Sequence, residues 1–122
     1  MMAGEAIFLG WGQVVRGREQ LALQVFQDTA EYWAKLQQDG KIESFRPFLL
    51  RPHGGDLAGF WLIHGERSAL EEIQSSEEFL RLIARAGAIV DNLGVTSAVT
   101  DEALGSQMGT YAEVAQSLPQ AT

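Results

Sequence analysis

Apolar and polar positions along the chain follow two different periods, and each change of period marks an element. Ala6 to Val15 (AIFLGWGQVV) is too short and too rich in β-formers and glycine for a helix, which predicts a first strand. Arg16-Gly17-Arg18 then turns the chain. From Glu19 to Asp39, residues Leu21, Ala22, Val25, Phe26, Thr29, Trp33 and Leu36 recur at three- and four-residue steps, the pattern of one helical face. Gly40 stands where a C-terminal cap belongs. Lys41 to Arg51 reads as a strand, and Pro47, which cannot donate to a ladder, assigns it to a sheet edge or a bulge. The turn Pro52-His53-Gly54-Gly55-Asp56 leads into a returning strand, Leu57 to His64, so the two form a hairpin.

Two S-x-x-E capping boxes follow in close succession, Ser68 with Glu71 and Ser75 with Glu78, and predict two helix starts. The first helix is short, about 69–74. The second carries Phe79, Leu82, Ile83, Ala86, Ile89, Val90 and Leu93 on one face, and is closed by Asn92 to Gly94. Val95 to Thr100 is a last short strand. Beyond Asp101, residues Leu104, Met108, Tyr111, Ala115 and Leu118 fall at helical spacing, but Gly105 and Gly109 leave an isolated helix marginal, so the tail is expected to order by docking.

The order β-α-β-β-α-β predicts an α+β, ferredoxin-like domain, an antiparallel sheet with two helices on one face, over residues 1–101. Residues 102–122 are then a partly helical C-terminal tail. The sheet's second face has to be explained. Strand one sets Ile7, Leu9 and Trp11 against Phe8 and Val14, and strand three sets Phe60 and Leu62 against Trp61 and Ile63, so both faces are apolar. Burial against the same face of a second copy, a closed homodimer, is the expectation. A monomer whose tail helix covers its own sheet is the rival.

Composition narrows the function. The chain has 122 residues and a formal charge of −7, with nine scattered Lys and Arg, which disfavours nucleic acid and anionic membrane surfaces as partners. It has no cysteine, which excludes disulfides, thiolate nucleophiles and cysteine-held metals. There is no basic n-region, and no apolar run reaches the roughly 18 residues that a membrane span requires, so the cytoplasm is the expected location.

Motif-level chemistry is sparse. Gly10-Trp11-Gly12 lacks the further glycine and the helix start of a dinucleotide loop, and no G-x-S-x-G is present, so neither a cofactor nor a metal is expected. His53 and His64, eleven residues apart at opposite ends of the hairpin, do not form a two-histidine metal site. His64 shares its strand parity with Phe60 and Leu62 and is the candidate general base. Arg46, in parity with Phe48, is the candidate cavity arginine, against the plainer reading of an edge-strand charge. Trp11, Trp61, Trp33, Tyr32 and Phe48 supply the apolar area and polar tips of a small-molecule pocket, and equally those of a core or an interface. Asp28 and Glu31 read as the solvated face of the first helix.

Three segments carry a resemblance to the dimeric α/β-barrel superfamily, which includes YCII-related proteins, antibiotic-biosynthesis monooxygenases and muconolactone isomerases. They are Gly40-Lys41-Ile42, then Gly54-Gly55-Asp56-Leu57-Ala58-Gly59, then Ser68-Ala69-Leu70-Glu71-Glu72-Ile73. The layout resembles that of YCII-related proteins over about residues 6–100. Those proteins tend to carry a histidine on the first helix and an Asp-Pro pair at the start of the second. This chain has no histidine between Glu19 and Asp39, and Ser76-Glu77 stands where Asp-Pro would fall. The resemblance therefore implies the fold rather than that chemistry. Three functions remain open: a dimer holding a small apolar ligand between sheet and helices, a cofactor-independent monooxygenase- or isomerase-like enzyme using His64 and Arg46, and a protein-interaction module.

Overall fold

The computed structural model of the protein describes residues 4–119. Its elements run β1 (Glu5–Trp11), α1 (Glu19–Gln38), β2 (Ser44–Leu49), β3 (Gly59–Gly65), α2 (Arg67–Ser75), α3 (Glu77–Gly87), β4 (Gly94–Val99) and α4 (Asp101–Ser117). The four strands form one sheet in the order β2-β3-β1-β4, with every pair antiparallel. The expected α+β, ferredoxin-like arrangement is present, with Pro47 on an edge strand as its missing N–H requires.

The register divides the sheet by parity. Ile7 faces Ile63 and Leu9 faces Trp61 on the side covered by helices, and these four are buried. Phe8 faces Leu62, and Phe48 faces Phe60, on the side that none of the described helices covers. α1 packs on the first side through Val25, Thr29, Trp33 and Leu36, and α2 and α3 add Leu70, Ile73, Phe79 and Leu82. Leu21, expected on the inner face of α1, is exposed.

Gly40 ends α1 as the sequence suggests. With φ at +76° it closes a Schellman motif, its N–H donating to the Gln37 carbonyl at 3.0 Å while the Lys41 N–H donates to Leu36 at 2.9 Å. The two capping boxes do not form as expected. α2 starts two residues early, with Glu66 as the cap residue and Ser68 already inside the helix. Ser75 is the last residue of α2, so the extended backbone that a cap needs falls at Ser76, whose Oγ accepts from the Phe79 N–H at 3.2 Å. α3 stops at Gly87 rather than near Asn92, and the chain after it pairs with residues 12–15 in a Val14–Val90 bridge. Residues 12–15 thus leave the expected line of β1. The Gly12 N–H bonds the Asp91 carbonyl at 2.7 Å instead.

The described part of the tail is mainly a 17-residue helix, α4, and none of that helix's residues is buried. It does not cover the sheet, so the monomer sealed by its own tail is not what forms. No helix among the described residues is long and apolar enough to cross a membrane.

Gly59 is the tightest point of the hairpin. A Cβ there would lie 2.6 Å from the Phe48 carbonyl and 2.6 Å from the Trp11 ring, contacts that force one or both to move. Gly59→Ala is expected to lower stability by about 1–3 kcal/mol, the usual range for an overpacked site. Urea denaturation at an unchanged m-value checks it, and a loss under about 0.5 kcal/mol, the ordinary size of a neutral surface change, would count against this account.

Candidate functional site

At the Trp11 end of the sheet, α1 and α3 stand away from the strands and flank an open-mouthed cavity of about 470 Å³. Its floor is Leu9, Trp11 and Trp61, and its walls include Phe26 and Thr29 from α1 and Ala86 from α3. Local sequence explains the gap. Ala22 and Ala86 put methyl groups where neighbouring turns put larger side chains, so the helices do not close on the strands there. The aromatic groups are ordered. Phe26 stacks on Trp61 at 4.9 Å and 28°, and meets Trp11 edge-on at 6.3 Å and 75°.

Polar chemistry in the cavity is slight. The Thr29 hydroxyl donates to the Val25 carbonyl at 2.6 Å and is thereby satisfied. Glu19, at the mouth, is the one ionisable residue among the lining residues, which include no histidine, lysine or arginine. Arg85 on α3 pairs with Asp28 on α1 at 2.7 Å and ties together the two helices that flank the cavity. Asp28, read from the sequence as solvated helix surface, thus serves as a brace. The Arg85 hydrogen bond, with help from Gln24, holds its carboxyl below the usual carboxylate range.

The candidate residues divide between the two faces of the sheet. Trp11 and Trp61 line the cavity. Trp33 is fully buried in the core against Tyr32 and Phe79, with its indole N–H unpartnered among the described residues. Tyr32 lines a separate cleft of about 150 Å³ with Lys41, Glu72, Ser76 and Glu78, and burial pushes its phenol above the ordinary value. Phe48, Arg46 and His64 lie on the uncovered face. There Phe8, Phe60 and Phe48 form a stacked row with centroids 4.9 and 4.7 Å apart, and Arg46 pairs across to Leu62 beside it. His64 pairs with Ser44 and Ala6, and its Nδ1 is buried without a partner among the described residues. The sheet therefore stands between His64 and the cavity. His53 only braces its own turn, through the Leu57 carbonyl at 2.8 Å and the Gly55 N–H at 3.2 Å. No group of three or more metal-ligating side chains occurs among the described residues.

The same architecture recurs in solved structures. A dimeric protein of unknown function from Bacteroides fragilis matches with a TM-score of 0.58 at 9% identity, over 82% of this chain and all of its own. A dabb family protein from Mesorhizobium loti matches at 0.61 and 11% identity, over 80% and 98%. SnoaB, a cofactor-independent oxygenase from Streptomyces nogalater, matches at 0.52 and 21% identity, over 84% and 98%. The fold is ferredoxin-like. No protein-family model and no curated protein matches the chain. At these identities the likeness covers architecture alone.

Sequence reasoning reached the two tryptophans but not Phe26, Thr29 or the two alanines. The available signal was the pair of small residues interrupting otherwise bulky inner helix faces.

Because its folded-state carboxyl is depressed, Asp28 adds stability above its unfolded pKa and loses it as pH falls through the folded one. Asp28→Asn is expected to flatten the acid limb of the melting curve from about pH 5 downward. Parallel limbs for the two proteins in thermal scans across that range would contradict the brace.

Proposed function

We propose that the protein is a small cytoplasmic homodimer that binds an apolar, uncharged ligand between sheet and helices. The observation that carries this reading is the cavity, whose volume falls within the range of about 300–1,000 Å³ typical of small-molecule sites. Its aromatic floor suits a flat, ring-containing molecule. A carboxylate or phosphate has no cation to meet inside and Glu19 to pass at the mouth, which favours neutral compounds. Pairing through the uncovered face is supported by the Phe8–Phe60–Phe48 row and by the dimeric description of the Bacteroides fragilis protein. Kinship with YCII-related proteins belongs to the same proposal, resting on the turn segments at Gly40 and Gly54.

A second reading is a cofactor-independent oxygenase- or isomerase-like enzyme, favoured by the likeness to SnoaB and by the unpartnered His64 Nδ1. His64 and Arg46 share the uncovered face, so their site would form between paired sheets rather than in the cavity. His64→Ala then abolishes turnover without affecting ligand uptake by the cavity.

Trp11 and Trp61 report on the first reading directly. Titration with a neutral two-ring aromatic probe such as naphthalene is expected to quench tryptophan emission saturably, whereas naphthoate does not. Ala86→Phe, which fills the cavity, is expected to weaken the probe at least about tenfold, or roughly 1.4 kcal/mol, with unchanged circular dichroism. Linear, unsaturable quenching that Ala86→Phe leaves alone would refute ligand binding in the cavity.

A further inference from the structure

Apart from the indoles, two residues of the cavity lining carry a polar side-chain group, Glu19 at the mouth and Thr29. Thr29 is 4% exposed, the one polar or charged residue that is buried among the described residues. The lining grades from exposed side chains such as Leu23 and Leu49 to buried ones such as Leu9, Trp61 and Leu82, and Thr29 belongs to the buried end. On α1 the other lining residues, Glu19, Ala22, Leu23, Val25 and Phe26, all precede it. Thr29 therefore closes the cavity along that helix.

The direction of its hydroxyl follows from its one bond. The Thr29 O–H donates to the Val25 carbonyl at 2.6 Å, one turn back. That turns the oxygen toward the N-terminal end of α1, the side on which the cavity lies. A hydroxyl has one hydrogen to give and two lone pairs with which to receive. The hydrogen is committed, and no described residue donates to the oxygen. What Thr29 offers the cavity is an acceptor. Bonding back to its own helix brings α1 no stability. The other buried residues of the helix, Val25, Trp33 and Leu36, are apolar, and valine would match the shape of threonine without burying an oxygen.

We infer that Thr29 is the specificity-determining residue of the cavity, and that the ligand is a neutral ring compound with one hydrogen-bond donor, an N–H or O–H, at the end that enters first. That assignment rests on the cavity's binding a ligand, and it adds what the ligand must carry. A donor placed in an apolar space without a partner loses affinity, and the Thr29 oxygen supplies the partner. An acceptor such as a ketone gains nothing there, because Thr29 would have to give up its bond to Val25 to serve it. Donors are thus favoured over acceptors of the same outline. The aromatic floor by itself does not tell the two apart.

Indole, benzofuran and indene share one fused-ring outline and differ at a single position, which holds an N–H donor, an oxygen acceptor and a methylene respectively. Their dissociation constants are measured by calorimetry on the native protein, Thr29→Val and Thr29→Ser. The native preference for indole over benzofuran is expected to exceed that of Thr29→Val at least about fivefold, the size of one neutral hydrogen bond. Thr29→Ser, which keeps the oxygen, is expected to restore the preference, and Thr29→Ala to match Thr29→Val. A ratio is compared, so a general loosening of the wall cancels. Equal preference in the native protein and in the variants without the oxygen overturns the role of Thr29. So does a folded Thr29→Ser that behaves like Thr29→Val. In both cases saturable binding of indene leaves the cavity as a ligand site. If neither indene, indole, benzofuran nor naphthalene binds saturably, ligand binding falls and the donor preference falls with it.

Discussion

α1 is held to the sheet by Trp33, and the rest of the molecule takes its shape from that contact. The side chain is fully buried where α1, α2 and α3 meet over the strands. Burying an indole removes on the order of 200 Å² from water, worth about 5 kcal/mol at 25 cal/mol per Å² as an upper figure. Its unpartnered N–H costs about 1–3 kcal/mol, so burial wins and the wedge stays in place. Packing is tight around this point. Further toward the N-terminus of α1, small side chains replace large ones and the same rigid helix leaves the sheet uncovered, so the cavity is the counterpart of the wedge.

The sheet partitions chemistry as firmly as it organises packing. Because side chains alternate across a strand, His64 and Trp61, three residues apart, are on opposite sides of a continuous layer of backbone. One face offers a concave, nearly uncharged aromatic space that opens to solvent. The other offers a row of phenylalanines flanked by a histidine and an arginine, half exposed in a single chain. A ligand-binding role draws on the first face and an enzymatic role on the second, and pairing of two chains would bring the second into use. α4 extends the same logic, since its apolar stripe finds no cover in its own subunit.

Element order, strand parity, the Gly40 cap and the edge position of Pro47 were legible in the sequence, because each follows from local rules: a period, a φ that only glycine adopts freely, a missing N–H. The end of α1 was read to within a residue. The caps of α2 and α3 were misplaced by two residues and by one, because a capping-box spacing recurs at neighbouring positions and only the folded chain puts the extended backbone at Glu66 and at Ser76. α3 was read too long because Ile89 and Val90 continue its apolar spacing, although they leave the helix to pair with residues 12–15.

By itself, then, the chain determined an antiparallel α+β domain with two apolar sheet faces, an acidic surface and no cysteine chemistry. Tertiary structure alone decided that Trp11 and Trp61 line a space while Trp33 fills one, that Asp28 reaches Arg85 across 57 residues, and that the tail stands clear of the sheet. The physical reason is common to all three. Periodicity tells which side of an element is apolar, but whether that side is filled, hollow or uncovered depends on the summed volumes of side chains brought together from distant parts of the chain.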